Sequence, residues 1–220
     1  MIKPRVTETN EGIQNPVTVQ DYDIFLRHMR DQGLLKIDAI LDAGITTGPV
    51  LEIGPGPGYL GLEWLTKTTN TFLTGIEISS NMIDLATKNA REYGLTDRAA
   101  YQLGNAQEMP FADHSFVAVF SNGSLHEWEH PEKIFREIHR VLQPGGRVLI
   151  SDLKRDLALP IKLLFYLGVK PKRMRHGLTT SLKAAYTASE LTGLLQNSDL
   201  QYAQVSSNPF GLQFFGIKPA

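Results

Sequence analysis

Residues 50–61 read VLEIGPGPGYLG, and the rest of the chain is arranged around them. Val50, Leu51 and Ile53 make the short apolar run of a buried strand. Gly54, Gly56 and Gly58 then alternate with Pro55 and Pro57, and Leu60, Leu62, Trp64 and Leu65 open a helical pattern. Strand, glycine turn and helix start together frame a nucleotide-type ligand, because glycine lets the backbone turn sharply and the free N–H groups of the helix start face it. The spacing is G-x-G-x-G. A dinucleotide fingerprint places its third glycine where Tyr59 stands, and no Lys-Ser/Thr follows as in a P-loop. A tight turn in some other α/β protein has the same local look.

Outward from this stretch, strand and helix patterns alternate. Strands are expected at about 49–53, 71–76, 98–103, 116–120 and 147–151, with helices at about 57–67, 79–93 and 131–142. Such alternation means right-handed βαβ units and a parallel sheet. Upstream, residues 1–20 read as a polar, loosely packed arm, and Asp21 as the cap of a helix over about 22–43 that Gly33 divides. Residues 152–186 read as irregular, basic and apolar. A helix at about 187–197 follows, and strands at about 200–206 and 211–217 close the chain as a hairpin. The organisation expected is an N-terminal arm and helical cap over 1–47, then one α/β domain over 48–220 with an insertion at about 152–186.

With 22 Lys and Arg against 23 Asp and Glu, the net charge of −1 makes the molecule as a whole no electrostatic binder of nucleic acid. The absence of cysteine removes disulfides, zinc–thiolate sites and thiol nucleophiles, and fits a cytoplasmic protein. The N-terminal stretch shows no apolar signal region, and no apolar run reaches the length of a membrane span.

Glu77 ends the second strand, 23 residues after Gly54, where a carboxylate can accept both hydroxyls of a ribose. A capping carboxylate for the next helix is the plain alternative. Glu52 precedes the first glycine by two residues, and the resulting E-x-G-x-G-x-G resembles the first motif of class I S-adenosylmethionine (AdoMet) methyltransferases. Gly104-Asn105-Ala106 with the later Met109-Pro110-Phe111 is similar to their third motif, usually G-D-A. His126-Glu127-Trp128, the helix Arg136-Glu137-Ile138 to Val141-Leu142, and Pro144-Gly145-Gly146 resemble the small-molecule branch (methyltransferase type 11), which includes quinone-biosynthesis and sterol enzymes. The resemblance covers roughly 48–152. It implies a Rossmann-like sheet of order 3-2-1-4-5-7-6 with strand 7 antiparallel.

The resemblance further implies AdoMet as cofactor, S-adenosylhomocysteine as product, and a small-molecule acceptor, apolar or anionic. Cofactor contacts fall on Glu52 for the ammonium, Gly54, Gly56 and Gly58 for the loop, and Glu77 for the ribose. Asn105, in place of the family's acid, and Ala106 are expected at the adenine, with Ile78 and Met82 on the same side, and Asn122 and Gly123 at the methionine end. The lid of this family is its N-terminal helix and the insertion after strand five, which points to Tyr22, Tyr59, Arg155, Tyr186 and Phe210 as substrate-pocket residues. Each also suits an ordinary core or surface role.

His126, just past strand four, is the candidate for acid–base work, or else merely packs its loop. Residues 126–130 spell H-E-W-E-H, a literal zinc-protease pattern, but Pro131 biases His130 away from helix, so a metal is not expected. Ser121-Asn122-Gly123-Ser124 stands where base-methylating enzymes of this fold carry N/D-P-P-Y/F, which argues against nucleic acid as acceptor. An NAD-type oxidoreductase, opposed by Tyr59, and a non-catalytic AdoMet-binding protein of the same fold are the rival readings. Residues 154–176 hold seven Lys or Arg against one acid around an apolar run, which suits a lid, shallow membrane contact or a solvated face.

Overall fold

A computed structural model describes residues 3–8 and 12–220. Seven strands form one sheet: β1 (Gly48–Ile53), β2 (Thr71–Glu77), β3 (Ala99–Leu103), β4 (Phe116–Asn122), β5 (Leu142–Asp152), β6 (Gln204–Asn208) and β7 (Gly211–Ile217). Their order is 3-2-1-4-5-7-6, as the resemblance implied. Strands β1 to β5 pair in parallel, and β7 runs antiparallel to both β5 and β6. Chain order reverses between β1 and β4, so the loops after these two strands diverge and leave a crevice at their carboxyl ends.

Alternate strand residues feed two cores, one on each face. Leu51 and Ile53 pack with Phe135, Ile138 and Phe214 on one side, and Val50 packs with Trp64, Leu65 and Phe120 on the other. The helices that cover these faces are α3 (Tyr59–Thr66), α4 (Ser80–Glu92), α5 (Pro131–Val141) and α8 (Ala188–Gln196). Ser79 caps α4 by accepting from Met82 N, and Thr187 with Glu190 forms a reciprocal capping box on α8. Pro131 opens α5, where its missing N–H costs nothing.

The N-terminal helix starts earlier than expected. Asn15 is the cap of α1 (Pro16–Asp31), its side chain accepting from Val17 N and Thr18 N. Asp21 is instead buried and paired with Arg173. Gly33, at φ +65°, ends the turn after α1, and a separate short helix α2 (Ile37–Asp42) follows. The segment 152–186, expected to be irregular, forms α6 (Leu159–Gly168), a 3-10 turn (Lys172–Met174) and α7 (Arg175–Ala184). Its basic residues masked a helical pattern. Strand β5 begins at Leu142, before the Pro-Gly-Gly turn, and β6 begins only at Gln204, because 198–203 turn back on themselves.

Residues 3–8 lie across the sheet's carboxyl end and are held there, not loose. Val6 N donates to Lys183 O, and Arg155 Nε donates to Lys3 O at 2.9 Å. Arg5 donates to Ala184 O and to His126 O, and its guanidinium lies 4.2 Å over the Tyr186 ring. Further along, Ser79 Oγ donates to Ile13 O and Asn81 Nδ2 to Gln14 O, fastening the arm to the start of α4.

Candidate cofactor and acceptor site

A cleft opens at the carboxyl ends of β1, β2 and β4. Its floor is the glycine turn. Gly54 and Gly56 have φ of +65° and +53°, in the left-handed region that favours glycine. A Cβ on Gly54 would stand 2.9 Å from Ser124 Cβ, so the turn passes too close to the β4 loop for any side chain. Gly58, at φ +83°, is the cap of α3 and lies against the Tyr101 hydroxyl, away from the cleft.

Glu77 stands at the rim in a fixed orientation. Its Oε2 accepts from Gly56 N at 3.1 Å, and its Oε1 accepts from Ile78 N and Ser79 N at 2.9 and 3.0 Å. Burial pushes its pKa up, and these three N–H bonds oppose that rise. A carboxylate has about four lone-pair sites and three are taken, so the oxygens retain capacity for one further donor such as a ribose hydroxyl. Ile78, Met82, Gly104, Asn105 and Ala106 line the cleft with Glu77. Asn105 Oδ1 accepts from Gln107 N at 2.9 Å, which fixes its loop. Gly123 and Ser124 complete the far end.

Three of the expected cofactor residues lie elsewhere. Glu52 points to the α3 side of β1, where a Cβ on Gly61 would meet its Oε2 at 2.3 Å. Side chains alternate along a strand, so Ile53 faces the cleft and Glu52 cannot. Its Oε2 has no hydrogen-bond partner among the described residues, and burial, then the charge of Glu77, pushes the carboxyl up to about 8. Asn122 accepts from Ser151 Oγ at 2.8 Å and ties β4 to β5. Gly58 serves the turn as described.

Beyond Gly123 the cleft reaches the 3-10 turn Leu125–Glu127. His126, 5% exposed, stands with Nδ1 at 2.9 and 3.0 Å from the Asp152 carboxylate oxygens, and its own backbone N–H donates to the same carboxylate at 2.7 Å. With Nδ1–H donated to Asp152, Nε2 is the ring nitrogen left over. It points at Glu8 of the arm, 3.5 Å away. Burial alone would lower the imidazole pKa, but Asp152, by charge and hydrogen bond, and then Glu127 and Glu8 raise it to about 9. Burial raises the neighbouring Glu127 carboxyl to about 7, with His126 opposing and Glu8, Glu77 and Asp152 adding.

The zinc-protease pattern is not realised as a helix, because His130 is the N-cap of α5 and lies beyond the turn that carries His126. A different set, Glu8, His126 and Glu127, brings ligand atoms within 4.8 Å of one another.

Of the expected substrate residues, Tyr22 alone lines the cleft, its ring against Gly56. Tyr59 is buried, donates to Asp23 at 2.7 Å and lies under Arg27 and Arg30, so it joins α3 to α1. Arg155 is buried and bonded to Lys3 O, Ala185 O and Glu190, and Tyr186 sits beneath Arg5. These two fix the arm and α8. Phe210 is exposed and stacks on Phe165. Sequence reasoning missed Asp152, Glu8, Glu127 and Trp128. Asp152 was within reach of it: in neighbouring parallel strands, Ser151 pairs with Asn122, so the residues just past both meet at the cleft.

The Methyltransferase domain family model matches residues 51–150, the stretch that builds this cleft. Over that stretch the chain resembles the class I AdoMet-dependent methyltransferases. It is 35% identical over 104 residues to methyltransferase GfsG of Streptomyces halstedii, covering 47% of this chain and 37% of that one. It is 28% identical over 120 residues to the ubiquinone/menaquinone biosynthesis C-methyltransferase UbiE of Geotalea daltonii, covering 54% and 51%. The match thus spans about half or less of these curated relatives' length. In fold it is similar to an AdoMet-dependent methyltransferase of Aquifex aeolicus, with TM-score 0.68, 18% identity and coverage of 92% and 98%. It is also similar to geranyl diphosphate C-methyltransferase of Streptomyces coelicolor, solved with S-adenosylhomocysteine, with TM-score 0.63, 12% identity and coverage of 83% and 75%.

The residues present fit AdoMet. The glycine turn is too tight for any Cβ, and the rim carboxylate is held by backbone donors with acceptor capacity left over.

Proposed function

We propose that this protein transfers the AdoMet methyl group to a neutral or cationic small molecule seated beside His126, with His126 receiving the acceptor's proton. When bound, AdoMet supplies an activated methyl on a sulfonium, so the protein's part is to orient and desolvate. Gly54 and Gly56 would hold the cofactor's sugar and tail against the turn, Glu77 its ribose, and Asn105, Ala106, Ile78 and Met82 its adenine. AdoMet would supply the methyl, and the acceptor's proton would pass to Nε2 of His126 in the molecules whose Nε2 is unprotonated, a fraction that grows as pH rises toward about 9.

The observation that carries the acid–base assignment is the Asp152–His126 pair at 2.9 Å. Asp152 fixes the tautomer and ring plane and makes the imidazole a stronger base. With Glu8 in place that nitrogen holds a proton at neutral pH. An acceptor that displaces Glu8 removes one of the charges retaining it.

The acceptor's charge follows from the same geometry. Glu127 lines this end of the cleft, and the carboxylates of Glu8 and Asp152 flank His126 beside it, so the end is rich in acids. The basic residues of 154–176, which at the level of sequence suited an anionic group, do not line the cleft. Trp128 and Tyr22 supply apolar walls.

Calorimetry with AdoMet, S-adenosylhomocysteine and NAD tests the cofactor, and methyl-labelled AdoMet with panels of neutral, cationic and anionic acceptors tests the reaction. Binding of AdoMet but not NAD, and label transfer that His126→Gln slows, is the expected result. Failure to bind AdoMet, or transfer confined to anionic acceptors, overturns the reading.

A further inference from the structure

Helix α6 is apolar along its length apart from Lys162, and none of its residues is buried. Leu159 is 80% exposed, and Leu163, Leu164 and Leu167 are each more than half exposed. Phe210, from the turn between β6 and β7, stacks on Phe165 with ring centroids 6.4 Å apart and widens the patch. Single exposed leucines need no explanation, but a contiguous apolar helix at a protein surface marks a docking face.

The charge around it is one-sided. Between Asp156 and Glu190 the chain has no acid, and it carries Lys162, Lys170, Lys172, Arg173, Arg175 and Lys183, in a molecule whose net charge is −1. Arg173 is taken up by Asp21, and Arg175 lies 4.7 Å over the Tyr166 ring at the edge of the patch. Lys170, Lys172 and Lys183 remain exposed. Clustered leucines and aromatics with a basic rim suit burial at the boundary between headgroups and acyl chains, with ammonium groups among the phosphates. The helix is too short to cross a bilayer, and no helix among the described residues is long and apolar enough to do so. A second copy of this chain fits less well, because a two-fold contact through α6 would set the basic rim against itself.

We propose that α6, with Phe210 beside it, is a docking face for an anionic lipid bilayer. The face is coupled to the site by the chain that follows it. Arg173 holds Asp21, the neighbour of Tyr22, and α7 packs on the turn that carries His126. Docking therefore acts on elements that touch the site, Arg173 through Asp21 and α7 through the turn 125–127. The docking does not rest on the acceptor assignment, and its test reads binding without turnover.

The test is sedimentation of the full chain with vesicles of phosphatidylcholine, with and without phosphatidylglycerol, at low and high salt. Preferential binding to the anionic vesicles, weakened by salt, is expected. Leu163→Glu/Leu167→Glu and, separately, Lys170→Glu/Lys172→Glu should each lower the partition coefficient at least about tenfold. Both variants should keep wild-type AdoMet affinity and melting temperature, since none of the four side chains is buried. A wild-type protein that stays in the supernatant at low salt overturns the proposal, as do variants that sediment like wild type. So does a wild-type dimer, seen by sedimentation velocity, that Leu163→Glu/Leu167→Glu splits while vesicle binding is absent.

Discussion

Asp152 and His126 are joined twice: the carboxylate accepts from the ring Nδ1 at 2.9 Å and from the backbone N–H of the same residue at 2.7 Å. The second bond holds the turn, so the carboxylate positions the imidazole and its backbone together. Replacing Asp152 by Asn keeps a polar neighbour but removes the charge that most raises the imidazole pKa. The rise of kcat with pH, expected to continue toward about 9 in the wild type, should shift to lower pH in Asp152→Asn, with AdoMet affinity little changed. Identical pH profiles for the two proteins would show that the pair is only structural.

Glu77 is the residue proposed to hold the ribose. Glu77→Ala should weaken AdoMet binding by about 1–3 kcal/mol, the range for a charge-assisted hydrogen bond left unmade. Part of that loss comes from the turn, since Gly56 N also loses its acceptor. Calorimetric affinity within twofold of wild type would remove Glu77 from the ribose site.

Gly56 has a positive φ, and a Cβ there would sit 3.2 Å from the Tyr22 ring edge. A valine strains the backbone and crowds the cleft at once. Gly56→Val should abolish AdoMet binding measured by calorimetry while the far-ultraviolet dichroism stays native. A bound cofactor in that variant would contradict the placement of the turn.

Three buried groups bind protons more tightly in the folded chain than in the unfolded one: Glu127 at about 7, Glu52 at about 8 and His126 at about 9. Each contributes stability that is fully present below its unfolded pKa and lost as pH rises through its folded one. All three therefore act in the same direction, and the melting temperature of the ligand-free protein should fall between about pH 5 and pH 9. Glu52→Gln should flatten the part of that slope below about pH 8. A melting temperature that climbs over this interval would show that the three carry ordinary pKa values.

The sequence alone determined the sheet and its cofactor end. The alternation of apolar strands with capped helices is local, and so are the left-handed glycines of 54–58 and the carboxylate that closes β2. Short-range sterics and side-chain periodicity set them before any distant contact forms. Glu77 was legible for that reason, and the family resemblance added Ile78, Met82 and Ala106. Periodicity was also the clue that excludes Glu52, since Ile53 holds the cleft-facing position next to it.

Tertiary structure alone decided the acceptor end. Glu8, His126 and Asp152 are far apart in the chain and meet only because the arm crosses the sheet beside the ends of β4 and β5. Arg155, Tyr59 and Tyr186 resemble pocket residues in composition, yet the fold spends them on fastening the arm, α1 and α8. Proton affinity depends on burial and on charges within a few ångströms, which are distances through space. The turn 125–127 encodes an imidazole, and the packing around it makes that imidazole a base.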